Sequence, residues 1–341
     1  MTMPDRNGAP PPAIGGYFPL ATGTSTHEYH AGLRRYQSAR AAWRALVAHL
    51  QPTRVWMPAY LCRDMADSLA GLLVRVERYR LDEALMPLDI DLAREDLLLY
   101  PNYFGVSGAK VDALLERYPG QRVVVDNAQA FFATPRVAIA TLYSPRKFVG
   151  VPDGAYLATA LDLPLPTTID NGSLDRCHHL LARAAGDVEG GYVHFLRAEA
   201  SLAEHEPRQM SWVTRHLLSS IDYDAVRHRR ADNFRYLHTL LGGINRFPMD
   251  LAHDDVPLCY PLLCVDASRR AGLLDALRAQ RIYMPIYWPD VMNGAEPWNL
   301  ASRLLAVPLD QRYGRAELDR LLGALFESGL EPIRAATLPL A

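Results

Sequence analysis

The sequence predicts an α/β chain: a three-layer large domain built on a mainly parallel sheet, followed by a smaller C-terminal α+β domain. Three observations lead there. Short apolar runs recur through the first half, at VWM 55–57, LLLY 97–100, VVV 123–125, IATLY 139–143 and AYLAT 155–159. Amphipathic stretches of helical spacing lie between several of them, the pattern of a sheet covered by helices on both faces. After Pro166 the texture changes to long helical segments, and short strand-like runs return only near residue 257.

The elements follow in order. Residues 1–20 are rich in Pro and Gly, and residues 1–33 read as an N-terminal arm. Ala39 to Leu50 repeats apolar residues at helical spacing, with Ser38 as N-cap and Pro52 beyond the stop. Arg63 to Leu73 is expected as a second helix, Val74 to Tyr79 as an alternating strand, and Ala109 to Arg117 as a helix. Residues 172–203 and 213–241 read as helical, with RHRR at 227–230 as a solvated face. PLCYPLLCV from 257 is strand-like, Ser268 to Gln280 helical, and Arg315 to Ser328 a final amphipathic helix after RLLAVPL. The expected division is an arm at 1–33, a large domain at 34–240 and a small domain at 241–341.

Composition narrows the function classes. Thirty-six basic against thirty-eight acidic residues leave a formal charge of -2, which gives no support to a basic nucleic-acid binder. A hydrophobic content of 49% supplies a packed core and excludes a mainly disordered chain. Cys62, Cys177, Cys259 and Cys264 are dispersed and form no CxxC pair, so neither a disulfide scaffold nor a zinc ribbon is expected. CHH at 177–179 puts chelating types on adjacent helical positions that face different directions, and no metal is expected. His27 and His30, three apart, read as part of the arm. The start lacks a basic segment followed by an apolar run, and no apolar stretch is long enough to span a bilayer. A cytoplasmic protein without membrane or nucleic-acid partners is the expectation. GxGxxG after a strand, GxxxxGK[ST] and GxSxG are all missing.

In open α/β sheets ligands bind beyond the carboxyl ends of the strands. Asn102, Asp126 and Ser144 fall there. In VVVDNAQAFF an acidic group follows three β-branched core residues. Asp126 is either a cap of the following loop or a carboxylate facing a cationic ligand group, and Gln129 either shares that site or bonds nearby backbone. Lys147 stands in YSPRKFVGVPDGAYL between two strand candidates. It is either a solvated loop charge or, partly removed from water, a nucleophile toward a carbonyl.

From about Arg34 to Thr159 the chain resembles the sugar aminotransferases of the DegT/DnrJ/EryC1/StrS group, which have the pyridoxal-phosphate fold type I. The resemblance rests on Asp126, Asn127, Ala128 and Gln129, which match the family's Asp-x-Ala-Gln strand end. It also rests on Lys147 with Asp153 and Gly154 in the turn after it, and on PNYFG at 101–105 and VWMPAY at 55–60. It implies pyridoxal 5'-phosphate as cofactor, with Lys147 as the Schiff-base lysine and Asp126 paired to the pyridinium nitrogen. Gln129 would lie near the ring or its phenolic oxygen. Ser38, Ala39 and Arg40 would hold the phosphate at a helix start, with Ser144 beside them. Asn102 is placed at the cofactor as a strand-end residue. Tyr287, Trp288 and Arg312 are candidates for substrate contact.

Four positions depart from the family pattern. Ser38-Ala39-Arg40 stands where the family has Ser or Asn, Gly and Thr. Cys62 occupies the place of the aromatic that stacks on the cofactor ring, with Tyr60 as its possible substitute. Leu142 is at the usual serine position, Ser144 lying three residues before the lysine. The partner-subunit Gly-Tyr-Asn-x-Arg segment is missing; HEPRQMSW at 205–212 is the stretch that would fill some of its space. The resemblance implies a homodimer that transfers an amino group from an amino acid to a keto-sugar, nucleotide-linked. The alternatives are a cofactor-dependent sugar dehydratase and a catalytically silent binding or assembly protein on the same fold.

Overall fold

The computed structural model describes residues 22–23, 27–203, 206–263, 267–288, 291 and 300–330, so most of the expected arm lies outside the described residues, as does His205. Seven strands form the principal sheet: β1 (Arg34–Tyr36), β2 (Arg54–Pro58), β3 (Arg75–Tyr79), β4 (Asp96–Pro101), β5 (Val123–Asn127), β6 (Ala140–Tyr143) and β7 (Ala155–Ala158). Their spatial order is β1-β7-β6-β5-β4-β2-β3. All pairings from β6 to β3 are parallel, and β7 runs antiparallel between β6 and β1. This is the mainly parallel, helix-covered sheet expected from the sequence. A second, antiparallel sheet pairs β8 (Tyr260–Leu263) with β9 (Leu304–Val307).

The helices are α1 (Ala39–Leu50), α2 (Arg63–Asp67), α3 (Gly108–Arg117), α4 (Ser173–Arg176), α5 (His178–Ala184), α6 (Val188–Ser201), α7 (Trp212–Leu218), α8 (Tyr223–Leu241), α9 (Ala267–Ala279), α10 (Leu300–Arg303) and α11 (Arg315–Glu327). Ser38 caps α1 as its sequence predicts: its Oγ accepts from the Ala41 N–H.

Why the central strands are uninterrupted apolar runs is visible in where their side chains go. Along β4 and β5, Leu98, Tyr100, Val123 and Val125 join a core with Tyr260, Leu262, Leu305, Val307 and α11. The alternate residues Leu97, Leu99 and Val124 join a second core with Ala42, Trp43 and Leu46 of α1. The period of two thus sends each strand into two cores, and each fully buried aliphatic side chain contributes about 1.5–3 kcal/mol. The same parity puts Asp126 on the α1 side, with Val124.

Three local expectations change. The expected helix from Arg63 shortens to α2, because residues 68–73 continue as three-residue turns toward Gly71, whose φ of +81° ends the helical path. The RHRR run is not wholly solvated: Arg230 is buried and bonds the carbonyls of Pro257, Leu258 and Phe148. His30 is buried on the large sheet, its ring 2.7 Å from the Phe131 carbonyl, and burial pushes its pKa down to about 4. Among the described residues no helix is long and apolar enough to cross a membrane.

Candidate active site

One cavity, of about 150 Å³, opens where the carboxyl ends of β4, β5 and β6 meet the start of α1. At its floor β5 delivers Asp126, 7% exposed. One carboxylate oxygen, Oδ1, accepts from the Ala128 N–H at 2.8 Å. Burial pushes the Asp126 carboxyl above its ordinary pKa, while the charge of Lys147 and the Ala128 N–H pull it back. A buried carboxylate raised in this way gains from a cation brought beside it.

Gln129 also lines the cavity. Its Oε1 accepts from the Phe104 N–H at 2.8 Å. Its buried Nε2 has no hydrogen-bond partner among the described residues. Such an orphaned donor leaves about 1–3 kcal/mol unrecovered until an acceptor arrives. Gly105 makes this approach possible: at φ +66° a Cβ there would stand 2.8 Å from the Gln129 carbonyl and 2.7 Å from that of Val256.

Lys147 follows β6 in a single 3-10 turn (Pro145–Lys147) and lines the same cavity. It is exposed, so the removal from water suggested by its sequence setting is not present in the chain alone. The turn after it is fixed by Asp153, which accepts from the Ser211 N–H and Oγ, and by Gly154 at φ +114°. Ser144, buried, lies on the wall, whereas Leu142 is packed in the sheet core.

The start of α1 presents Ser38, Ala39 and Arg40 to the same cavity. Cys62 lines it too, and burial raises its thiol pKa, with Asp64 adding to the rise. Trp288 is the one aromatic residue among those lining it, and its backbone sits in the left-handed region at φ +53°.

The structure therefore gathers Ser38, Ala39, Arg40, Cys62, Asp126, Gln129, Ser144, Lys147 and Trp288 around one space. It does not bring Tyr60 there. The Tyr60 ring stacks on Tyr103 and meets Trp288 edge-on, so it backs the wall and does not replace the aromatic missing at Cys62. Nor does Asn102 reach the cavity. Its side chain accepts from the Ser107 N–H at 3.2 Å and serves the loop after β4. Tyr287 packs on Phe104 and lines neither cleft. Arg312 lies in an adjoining cleft of about 690 Å³ that shares Arg146 and Lys147 with the first, and Asp310 holds its guanidinium through two bonds.

Sequence reasoning missed Arg146 and Glu199, which also line the cavity. Arg146 adjoins Lys147 and was discoverable from that neighbour. Glu199 comes from α6, fifty-two residues further on (199 − 147), and no local pattern signals it.

No protein-family model matches the chain, and no curated protein matches its sequence. Its fold, however, is shared with solved structures of aminotransferases, sugar aminotransferases among them. It is similar to the aminotransferase TlmJ from Streptoalloteichus hindustanus, with a TM-score of 0.62 and 17% identity over 87% of this chain and 85% of that one. NtdA from Bacillus subtilis, crystallised with bound PMP, gives 0.59 and 16% over 87% and 73%. The sugar aminotransferase CalS13 from Micromonospora echinospora gives 0.58 and 15% over 87% of both chains.

Proposed function

We propose that this chain is a divergent pyridoxal-phosphate-dependent aminotransferase of the DegT/DnrJ/EryC1/StrS type, acting on a keto-sugar with an amino acid as donor. The observation that carries the reading is the shared cavity: a buried carboxylate at 126 and a lysine amine at 147 open into one space that the N-terminus of α1 also lines. The cofactor's chemistry fits these donors. Asp126 is a buried anion without a described cationic hydrogen-bond partner, suited to a ring nitrogen that must keep its proton. The orphaned Gln129 Nε2 is suited to a ring oxygen. Ser38, Ala39 and Arg40 would hold the phosphate, with Ser144 on the neighbouring wall.

When bound, pyridoxal phosphate supplies the electron sink that makes the donor's Cα–H acidic. The chain's own residues do the rest. Asp126 keeps a proton on the ring nitrogen by its negative charge. Lys147 would hold the cofactor through Nζ, and the same amine, when free, is placed to accept the proton from donor Cα and to return it. Trp288 and Cys62 fill the wall and limit the ring's freedom. The wide adjoining cleft, with Arg183, Arg312, Tyr192 and Phe195, supports an acceptor larger than an amino acid and bearing negative charge, such as a nucleotide-linked sugar. A homodimer is part of the proposal, supported by the exposed apolar residues Leu181, Tyr192, Val193, Phe195 and Leu196 on α5 and α6.

The test is direct. Purified protein incubated with pyridoxal phosphate should turn yellow, borohydride should fix the cofactor's mass on the peptide holding Lys147, and Lys147→Ala should do neither. Glutamate should then bleach the colour. A chain that gains neither colour nor adduct is the silent scaffold; one whose pyridoxamine form expels a hydroxyl from the sugar without delivering nitrogen to it is the dehydratase.

A further inference from the structure

On the wall of the same cavity, the guanidiniums of Arg40 and Arg146 both reach the carboxylate of Glu199. Arg40, the second residue of α1, places Nη2 3.9 Å from Glu199 Oε2, and its Nη1 is 2.8 Å from Asp64 Oδ2. Arg146 bonds Glu199 Oε1 through Nη2. Both arginine side chains are 15% exposed, and Glu199 is 36% exposed. The buried Nε of Arg146 has no partner among the described residues. Together with the first N–H groups of α1, these form a donor set that the two carboxylates now meeting it, Glu199 and Asp64, leave partly unsatisfied at Arg146 Nε.

We propose that Arg40 and Arg146 form a two-guanidinium clamp for a phosphate dianion, and that Glu199 is a resident anion which the phosphate displaces. This rests on the cofactor reading above and deepens it: the clamp stands where neutral Gly and Thr donors would otherwise bind. The competition has a clear direction. A phosphate monoester carries about −1.5 to −2 charges and three acceptor oxygens, against one charge and two oxygens for Glu199. It satisfies the idle Arg146 Nε as well as the pairs already made. Releasing Glu199 returns a half-exposed carboxylate to water, which loses little. Because Glu199 belongs to the last turn of α6, phosphate binding frees that end of the helix from the cavity wall.

The experiment compares wild type, Glu199→Gln and Arg146→Met in two titrations. In the first, inorganic phosphate is added and thermal stability is followed. In the second, pyridoxal phosphate and pyridoxal, which lacks the phosphate, are compared by visible absorbance. Arg146→Met should weaken pyridoxal phosphate by about tenfold or more, the loss of one charge-assisted contact. Pyridoxal affinity should stay unchanged. Glu199→Gln should tighten pyridoxal phosphate several-fold and enlarge stabilisation by phosphate. Pyridoxal phosphate bound at Lys147 with equal affinity in all three proteins overturns the clamp and leaves the cofactor reading standing. Arg146-dependent stabilisation by phosphate in a chain that takes neither aldehyde keeps the clamp and overturns the cofactor reading. If Glu199→Gln weakens phosphate binding, the displacement is wrong and Glu199 is a structural brace. Arg146→Lys, which keeps the charge, separates loss of folding from loss of the fork.

Discussion

Replacing Arg230 by methionine tests how the loop bearing Lys147 is held. The guanidinium of this α8 residue is buried and, among the described residues, bonds no carboxylate directly, with Asp310 as the nearby charge that favours it. Its Nε bonds Gln311 Oε1 at 2.9 Å, Nη1 bonds the carbonyls of Pro257 and Leu258 at 3.2 and 3.0 Å, and Nη2 bonds that of Phe148 at 3.3 Å. The guanidinium also lies 4.6 Å from the centre of the Phe148 ring. One side chain thus ties the residue after Lys147 to the strand approach of the second sheet and to the segment after β9. Burial lowers its pKa to about 10, so it stays charged at neutral pH. Four charge-assisted bonds at about 1.5–3 kcal/mol each, less the several kcal/mol needed to strip the guanidinium of water, leave about 3–5 kcal/mol. At about 2 °C per kcal/mol for a chain of this size, Arg230→Met should lower Tm by about 6–10 °C. Arg230→Lys, which keeps the charge but not the fork, should recover part of the loss. Differential scanning calorimetry measures both, and pyridoxal phosphate titration of the folded protein reports the loop. A Tm within about 2 °C of wild type refutes the energetic reasoning. A large fall in Tm with unchanged cofactor affinity refutes the link to Lys147.

Asp126→Asn should act in opposite directions on stability and binding. A carboxyl whose pKa rises on folding destabilises the chain at pH above that folded value and is neutral below the unfolded one. The cofactor-free variant should therefore melt higher than wild type at neutral pH, with the gain fading as pH falls into the ordinary carboxylate range, while pyridoxal phosphate affinity drops about tenfold or more. Calorimetry across pH and an absorbance titration check the two halves. Trp288→Ala removes the cavity's aromatic surface; an aromatic contact of about 0.5–1.5 kcal/mol corresponds to about a twofold to tenfold weaker cofactor affinity by the same titration. Gly154→Ala forces a Cβ to 3.0 Å from Thr214 Cγ2 at φ +114°. Strain of about 1–3 kcal/mol should lower Tm by at least about 2 °C.

The sheet was legible because its physics is local and periodic. Apolar runs at β2, β4, β5 and β6 announce strands buried on both faces, and their carboxyl ends locate the ligand side before any coordinate is consulted. Asp126 and Lys147 were legible for the same reason: each sits at a fixed step after such a run. The failures share a cause too. Tyr60 and Asn102 stand at strand ends, but which way a side chain turns there depends on neighbours brought from elsewhere, Trp288 for one and the loop at Ser107 for the other. Arg230 looked solvated because its three basic neighbours in the run, Arg227, His228 and Arg229, give no hint that a carbonyl cluster from residues 148, 257 and 258 closes over it. Glu199 is the extreme case, since its place depends wholly on how α6 packs.

The polar inventory of the cavity bears on the choice between enzyme and silent scaffold. A protein that only presents a surface gains nothing from a carboxylate buried at the end of β5, a glutamine Nε2 with no acceptor, or an arginine Nε with none. Each is unfavourable in the chain alone: Lys147 and the Ala128 N–H offset only part of the burial of Asp126, and the two orphaned donors have no described acceptor. Cys62 and Leu142, the two departures from the pattern the sequence resembles, add no large apolar group to the cavity: Leu142 is packed in the sheet core, and the small Cys62 lines the wall. The cavity is open and carries both charges on its lining, the guanidiniums of Arg40 and Arg146 and the carboxylate of Asp126. A flat ligand with a cationic ring nitrogen and a phosphate satisfies both charges at once, and an uncharged ligand satisfies neither. Competition between pyridoxal phosphate and pyridoxal for wild-type protein therefore decides the matter at one stroke: preference for the phosphorylated aldehyde of tenfold or more, about 1.4 kcal/mol, is what this charge layout requires.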